Sequence, residues 1–211
     1  MSHFELLSRA QIHDLVGPVV GAKLAPEGFD EVDTLKWVRS VDAPIRQVFL
    51  FSQWKGGAIA PIWGVSLDFV PHISGAKVKW HRTAKSAMPD LVVDARDRAL
   101  DMPYHAGPEP IRERAFEVVS NAVIRAREFW DRSRRIADLP AAFDWLRSYL
   151  STGGLGFYNY VQHPIAHAFV LSATGRLADA NSELERFIGR AELTAELAAK
   201  LRALLEVAHV A

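Results

Sequence analysis

The 211-residue sequence contains no cysteine and no excess of either charge, since 25 Lys and Arg side chains balance 25 Asp and Glu side chains. Without cysteine, the chain cannot form a disulfide scaffold or a cysteine-ligated zinc or iron–sulfur site. The charges also balance on each side of Gly107, with 12 acids and 12 bases before it and 13 of each after it. Neither half has the basic excess with which nucleic-acid-binding proteins hold phosphates, so we expect no nucleic-acid partner.

Long apolar runs are also missing from the sequence. No uninterrupted apolar segment approaches the roughly 18–20 residues that a helix needs to cross a bilayer. The first residues, Met1–Leu7, lack the basic region, apolar stretch and cleavage site of a secretory signal. With 49% apolar residues the chain can nevertheless build a core of ordinary size. We therefore expect a cytoplasmic protein without membrane contact.

A helix is predicted for residues 8–24, where apolar side chains recur at spacings of three and four. Pro18 lies inside this segment, and a proline removes an amide donor and clashes with the preceding turn. We expect a kink or two short helices there. Pro26 and Gly28 then end the helical segment.

The apolar pattern changes to the alternation of strands between Phe29 and Thr83. Strands are predicted at residues 35–39, 47–54, 63–69 and 78–83. Their short connections indicate antiparallel pairing, because parallel neighbours need long crossovers. In the third strand, alternation separates Trp63, Val65, Leu67 and Phe69 from Gly64, Ser66 and Asp68. We therefore expect one apolar face covered by helices and one polar face open to solvent.

The rest of the chain reads as a proline-rich connector over residues 84–110, with a short strand at 91–93, followed by helices to the end. Helices are predicted at 110–135, 138–150, 164–174, 177–189 and 193–209. The sequence thus predicts an α+β protein: an N-terminal helix, an antiparallel sheet of about four strands and a helical C-terminal half. We expect residues 1–107 to form the sheet domain and residues 108–211 to pack on it as one compact unit.

Asp68 and His81 are the candidate catalytic residues. If the strands at 63–69 and 78–83 pair as a hairpin, the two side chains lie close across it. A carboxylate beside an imidazole raises its pKa and orients it, as a general base requires. The alternative is an ordinary ion pair on a solvated sheet face. His72 could join them in a metal site, but three convergent ligands cannot be demonstrated, and we predict neither a metal nor another cofactor.

Five further residues are candidates for ligand binding: Arg39, Ser66 and Lys79 in the sheet region, and Tyr158 and Tyr160 in the glycine-rich loop. Aromatic side chains beside flexible glycines suit a binding surface, although core packing explains them as well. His163 and His167 have the spacing of two ligands on one helix face. Pro164 instead favours His163 as a capping or packed histidine, because proline typically occupies the first helical position.

Two compositional features concern recognition. Five arginines lie between Arg125 and Arg135 against two acids, which suits an acidic partner or simply a solvated helix face. Six tryptophans are many for a chain of this size. They favour a filled layer between sheet and helices, with a tryptophan-lined ligand groove as the second interpretation.

The N-terminal half resembles a group of small bacterial proteins that are known as a domain of unknown function. The resemblance lies in Leu24–Phe29, in Lys36–Arg39, in Gln47–Gln53 and in Trp63–Leu67. It implies a bacterial, cytoplasmic α+β protein and carries no activity. The helical half of the chain lies outside it.

The sequence therefore favours a non-enzymatic binding or protein-interaction module, since it offers balanced charge, many aromatic side chains and no recognisable catalytic motif. Its partner would be another protein or a second copy of the chain. The alternative is a small hydrolase or transferase that uses Asp68 and His81, with or without a metal.

Overall fold

Helix α1 spans Arg9–Leu24 in the computed structural model, which describes residues 6–41, 44–54, 57–93, 98–153, 157 and 160–208. It begins with a capping box, in which the Ser8 and Gln11 side chains each accept a hydrogen bond from the other residue's backbone N–H. The helix continues through Pro18, so the predicted division into two short helices is wrong. Its buried side chains recur every four residues and face the sheet: Ile12, Val16, Val20 and Leu24.

The strands form one main antiparallel sheet and a separate hairpin. The strands are β1 (Asp30–Asp33), β2 (Lys36–Ser40), β3 (Ile45–Trp54), β4 (Ala58–Leu67), β5 (His72–Ser74), β6 (Lys77–Lys79), β7 (Leu91–Val93) and β8 (Met102–Pro103). The order of the main sheet is β1-β2-β3-β4-β7, with β8 pairing to β4. Strands β5 and β6 pair only with each other.

The predicted hairpin between residues 63–69 and 78–83 is therefore wrong. Strand β6 ends at Lys79 and pairs with β5, with His72 opposite Lys79. The two-residue connection at Gly75 closes this local hairpin at a smaller cost in chain entropy than a longer loop back to β4. Strand β4 pairs instead with β3, β7 and β8.

The two faces of the main sheet are both covered. Trp37, Phe49 and Trp63 lie on one face and belong to the large core that α1 and the C-terminal helices complete. On the opposite face, Val38 and Val48 pack against Ala87 of the connector. The predicted alternation in β4 is confirmed, because Ser66 lies opposite Arg46 and Leu67 opposite Ile45. The predicted exposure of the second face is wrong, since the connector covers it and Ser66 is buried.

The C-terminal half is helical, as predicted, with α2 (Glu109–Asp131), α3 (Leu139–Gly153), α4 (Gln162–Ala173), α5 (Leu177–Arg190) and α6 (Ala195–Ala208). One apolar core runs through both halves of the chain. The α+β architecture is thereby confirmed. None of the described helices has the length and apolarity that crossing a membrane requires.

Gly64 is the point at which the sheet and the helical half meet. A Cβ atom at this residue would lie 2.0 Å from the Leu91 carbonyl oxygen, so only glycine lets β7 approach β4 this closely. The Gly64 carbonyl accepts a hydrogen bond of 3.0 Å from the indole N–H of Trp130 in α2. Both sites described below contain residues next to this junction.

Candidate functional site

The two candidate catalytic residues have separate partners. The Asp68 carboxylate forms an ion pair with Arg46, and its backbone carbonyl accepts a hydrogen bond from Arg82. The His81 ring packs on the His72 ring with 3.8 Å between centroids. None of the contacts among the described residues joins Asp68 to His81, because the hairpin that would align them does not form.

An Asp–His contact does exist nearby, between Asp90 and His72. The Asp90 side chain is fully buried, and its Oδ1 lies 3.0 Å from His72 Nε2. Its other oxygen accepts a hydrogen bond of 2.6 Å from the Leu67 backbone N–H. The Gln162 amide donates to Asp90 Oδ1 at 2.8 Å and also to the Pro71 carbonyl. We call Asp90, His72, His81 and Gln162 the Asp90 centre.

Burial shifts the pKa values of Asp90 and His81 in this centre. It raises the pKa of Asp90 above its usual range, while the His72, Leu67 and Gln162 contacts act in the opposite direction. Burial also lowers the pKa of His81 to about 4, with further lowering by His72, Lys36 and Lys79. His81 is consequently neutral at pH 7.

The arrangement permits one kind of chemistry. Asp90 orients His72, whose side chain is 12% exposed, and an oriented imidazole can accept a proton from a bound group. A metal centre finds no support, since the described part of the chain contains no cluster of three or more metal-ligating side chains.

The candidate ligand-binding residues are scattered over the molecule. Arg39 donates hydrogen bonds to the Gln47 side chain and to the Glu27 carbonyl, and it packs over Phe29. These contacts stabilise the fold. Ser66 is buried, as described above. Lys79 is exposed opposite His72 in the small hairpin.

Of the two tyrosines, Tyr160 stacks on the His163 ring with 4.6 Å between centroids. Tyr158 lies outside the described residues. His163 is not the capping residue, because α4 begins one residue earlier. It is fully buried, and its Nε2 accepts a hydrogen bond of 3.1 Å from the Val92 backbone N–H. Burial lowers its pKa to about 3, so the packed alternative is confirmed for this residue.

A cleft of about 260 Å³ lies between the main sheet, α2 and α3. We call it the aromatic cleft; it is lined by Trp63, Val93, Arg125, Glu128, Phe129, Arg132, Trp145 and Tyr149. The sheet contributes the buried Trp63 and Val93, α2 and its C-terminal residue contribute the charged side chains, and α3 contributes two rings. The cleft thus has an apolar wall and a charged rim.

The rings of the aromatic cleft are stacked on one another. Trp145 and Tyr149 lie 5.1 Å apart at an interplanar angle of 16°, and Phe129 lies 5.7 Å from Trp145. The Arg132 guanidinium is 5.9 Å from the centre of the Trp145 ring. The indole N–H of Trp63 is buried and has no hydrogen-bond partner among the described residues. A buried indole N–H normally has a partner, and this one is an exception to that rule.

The fold brings together residues that the sequence pattern did not connect. Sequence reasoning treated the arginines of residues 125–135 and the tryptophans as unrelated features, while the aromatic cleft contains two of each. It missed Asp90 altogether. The available signal was the position of Asp90 between Pro89 and the apolar strand predicted at 91–93. A charged side chain is rarely buried beside such a strand unless it has partners.

Comparison of the chain with models of protein families, with curated proteins and with solved structures finds no match. The resemblance of the N-terminal half to the small bacterial proteins stays a prediction. The function is therefore inferred from the geometry of the two sites.

Proposed function

We propose that the protein is a non-enzymatic binding module and that the aromatic cleft is its recognition surface. The observation that supports this is the joining of stacked rings and two arginines in one cleft. Pockets that bind ligands are typically apolar concavities with a few polar groups that fix orientation. The lack of a nucleic-acid partner stays a prediction from the charge balance, and a cytoplasmic location stays a prediction from the missing signal sequence and apolar runs.

The Asp90 centre is a weaker basis for function because its carboxylate is held by donors inside the chain. Both Asp90 oxygens have partners inside the chain, and the contacts join β4, the β5–β6 hairpin and α4. Such a network stabilises a fold whether or not it performs chemistry.

A panel of small ligands tests the proposed function. The panel contains neutral aromatic, aromatic acidic, aromatic cationic and aliphatic acidic compounds, and the indole N–H resonances of the protein are followed by NMR. We expect at least one class to shift the indole signals of Trp63 and Trp145. The Trp145→Ala variant should lose this binding, whereas Trp80→Ala, which removes a ring outside the cleft, should keep it. Failure of every class to bind the cleft would overturn the proposed function.

The second candidate is acid–base catalysis, favoured by the 3.0 Å contact between Asp90 and His72. His72 would accept a proton from an attacking water or hydroxyl group, as a small hydrolase or transferase requires. Hydrolysis of p-nitrophenyl acetate by the purified protein tests it. Loss of turnover in His72→Gln but not in His13→Gln, a histidine paired with Glu31 outside this centre, would support it. Equal rates in all three proteins would contradict it.

A further inference from the structure

The charged rim of the aromatic cleft favours anions. Arg125 and Arg132 are seven residues apart, two helical turns, and therefore lie on the same side of α2. Among the described lining residues Glu128 is the one acid, so there two positive side chains accompany one negative one. Arg132 lies near the face of an aromatic ring. A guanidinium in this position keeps N–H donors for a carboxylate, to which arginine binds in a bidentate manner.

The other described cavities lack this combination. Among their described lining residues, the cavity of about 180 Å³ between α3, α4 and α5 and the cavity of about 420 Å³ near the start of α3 have arginines and acids but no Phe, Tyr or Trp. The cavity of about 360 Å³ beside α1 has Asp14 as the one charged residue of its described lining.

The stacked rings determine the shape of the ligand. Trp145 and Tyr149 stack on each other, so a ligand ring can pack against the edges of this pair or on one of its outer faces, in offset or edge-on contact. The volume of about 260 Å³ is just below the range of roughly 300–1,000 Å³ that is typical of drug-sized ligands. A ligand with one or two rings therefore fits, and a dinucleotide does not.

Trp63 forms the sheet side of the cleft, and its indole N–H is buried below the cleft surface. Neutral aliphatic compounds provide neither the ring for the wall nor the charge for the rim.

We propose that the aromatic cleft binds an aromatic carboxylate, with the ring against Trp145 and Tyr149 and the carboxylate at Arg125 and Arg132. This proposal rests on the proposed function and specifies its ligand. The same chemistry occurs in a free aromatic acid and in an aromatic residue at the C-terminus of a polypeptide, where ring and carboxylate are close together.

Calorimetric titration of the full chain with 3-phenylpropionate, with its neutral amide and with hexanoate tests the proposal. We expect the acid to bind about tenfold more tightly than the amide, because the amide loses the charge-assisted contact. Hexanoate should bind more weakly than the aromatic acid, because it has no ring. Arg132→Gln and Arg125→Gln should each weaken the aromatic acid at least about fivefold and leave the amide unchanged.

Arg112→Gln is the matched control, since Arg112 is an exposed arginine of α2 that is paired with Glu109 outside the cleft. Its affinity for 3-phenylpropionate should equal that of the unaltered protein. The peptide Gly-Gly-Phe, with a free or an amidated C-terminus, distinguishes the two sources. A free-ended peptide that binds more tightly than 3-phenylpropionate indicates a chain end, and weaker binding indicates a free acid; both results support the shared chemistry.

Two results would overturn the proposal. Equal affinities for acid and amide, or unchanged affinities in both cleft arginine variants, would remove the anion preference while leaving a binding module with a neutral ligand. Failure of every compound to bind the cleft would remove the proposed function as well.

Discussion

The Asp90 centre and the aromatic cleft lie at opposite ends of the short strand β7. They differ in where their polar groups lie. Asp90 immediately precedes β7, and its carboxylate is surrounded by donors from the chain itself. Val93, at the other end of β7, lines a cleft that has two arginines on its rim. Polar groups that satisfy one another in the interior hold a fold together, whereas charged groups on the rim of a cleft can meet a ligand.

Gly64→Ala is the most damaging change we predict, because it affects both regions at once. Its Cβ would meet the Leu91 carbonyl oxygen at 2.0 Å and push β7 away from β4. We expect a loss of about 4 kcal/mol or more in the free energy of unfolding, measured by urea denaturation. Gly21→Ala in α1 is the control, since a Cβ there meets nothing within 4 Å and should stabilise the helix by about 0.5–1 kcal/mol. Equal stabilities of the two variants would show that β7 is not held as described.

Asp90→Ala comes next and affects the Asp90 centre alone. It leaves the buried Leu67 N–H without its acceptor and removes one of the two acceptors of the Gln162 amide, so we expect a loss of about 3–5 kcal/mol in the free energy of unfolding. Asp90→Asn keeps one acceptor oxygen and should cost about 1–3 kcal/mol. Asp131→Ala removes an exposed ion pair with Arg134 and should cost less than about 1 kcal/mol. A cost for Asp90→Ala as small as that of Asp131→Ala would refute the structural role of the centre.

The pH dependence of the free energy of unfolding also distinguishes the Asp90 centre from the aromatic cleft. His81 and His163 have pKa values lowered to about 4 and about 3, while an unfolded histidine titrates near about 6.5. The unfolded chain therefore binds more protons in this interval, and stability falls as the pH decreases from about 6.5. Asp90 partly offsets this loss at the acid end, because its raised pKa lets the folded state take up a proton first.

Denaturation at a series of pH values measures this slope. His81→Asn should flatten it between about pH 6.5 and pH 4, because one of the two histidine contributions is removed. Trp145→Phe in the aromatic cleft introduces no titratable group and should leave the slope unchanged. An identical slope in His81→Asn and the unaltered protein would show that His81 is not buried against His72.

Arg132→Gln should have the smallest effect on folding. Its side chain is exposed on the cleft rim, so we expect a change within about 0.5 kcal/mol in the free energy of unfolding. Thermal denaturation checks this. A larger loss would mean that the rim arginine serves the fold, and the contrast with Asp90 would disappear.

Local features of the fold could be predicted from the sequence, and long-range pairings could not. The spacing of apolar residues located α1 and the C-terminal helices, and the alternation in β4 assigned Ser66 and Leu67 to opposite faces. Those patterns depend only on helical and strand geometry. Which strand pairs with β4 depends on loop closure and on the competing local hairpin at Gly75, and the prediction failed there.

The candidate sites show the same division. The sequence drew attention to His81, but its partner His72 is held by Asp90, a residue that only the folded chain brings into contact. It also assumed that a polar alternation means exposure, whereas the connector covers that face with Ala87. The connector has no apolar periodicity of its own. The sequence of a strand therefore does not indicate that the connector covers it.

The hydrogen bond from Val92 to His163 has a consequence for self-association. Among the described strands, β7 terminates the main sheet, and an outermost strand offers free amides to which a strand of another molecule can add. The His163 imidazole occupies the outward amide of Val92 and blocks such addition. Because this histidine comes from α4, the helical half covers this edge of the sheet as well as completing its core.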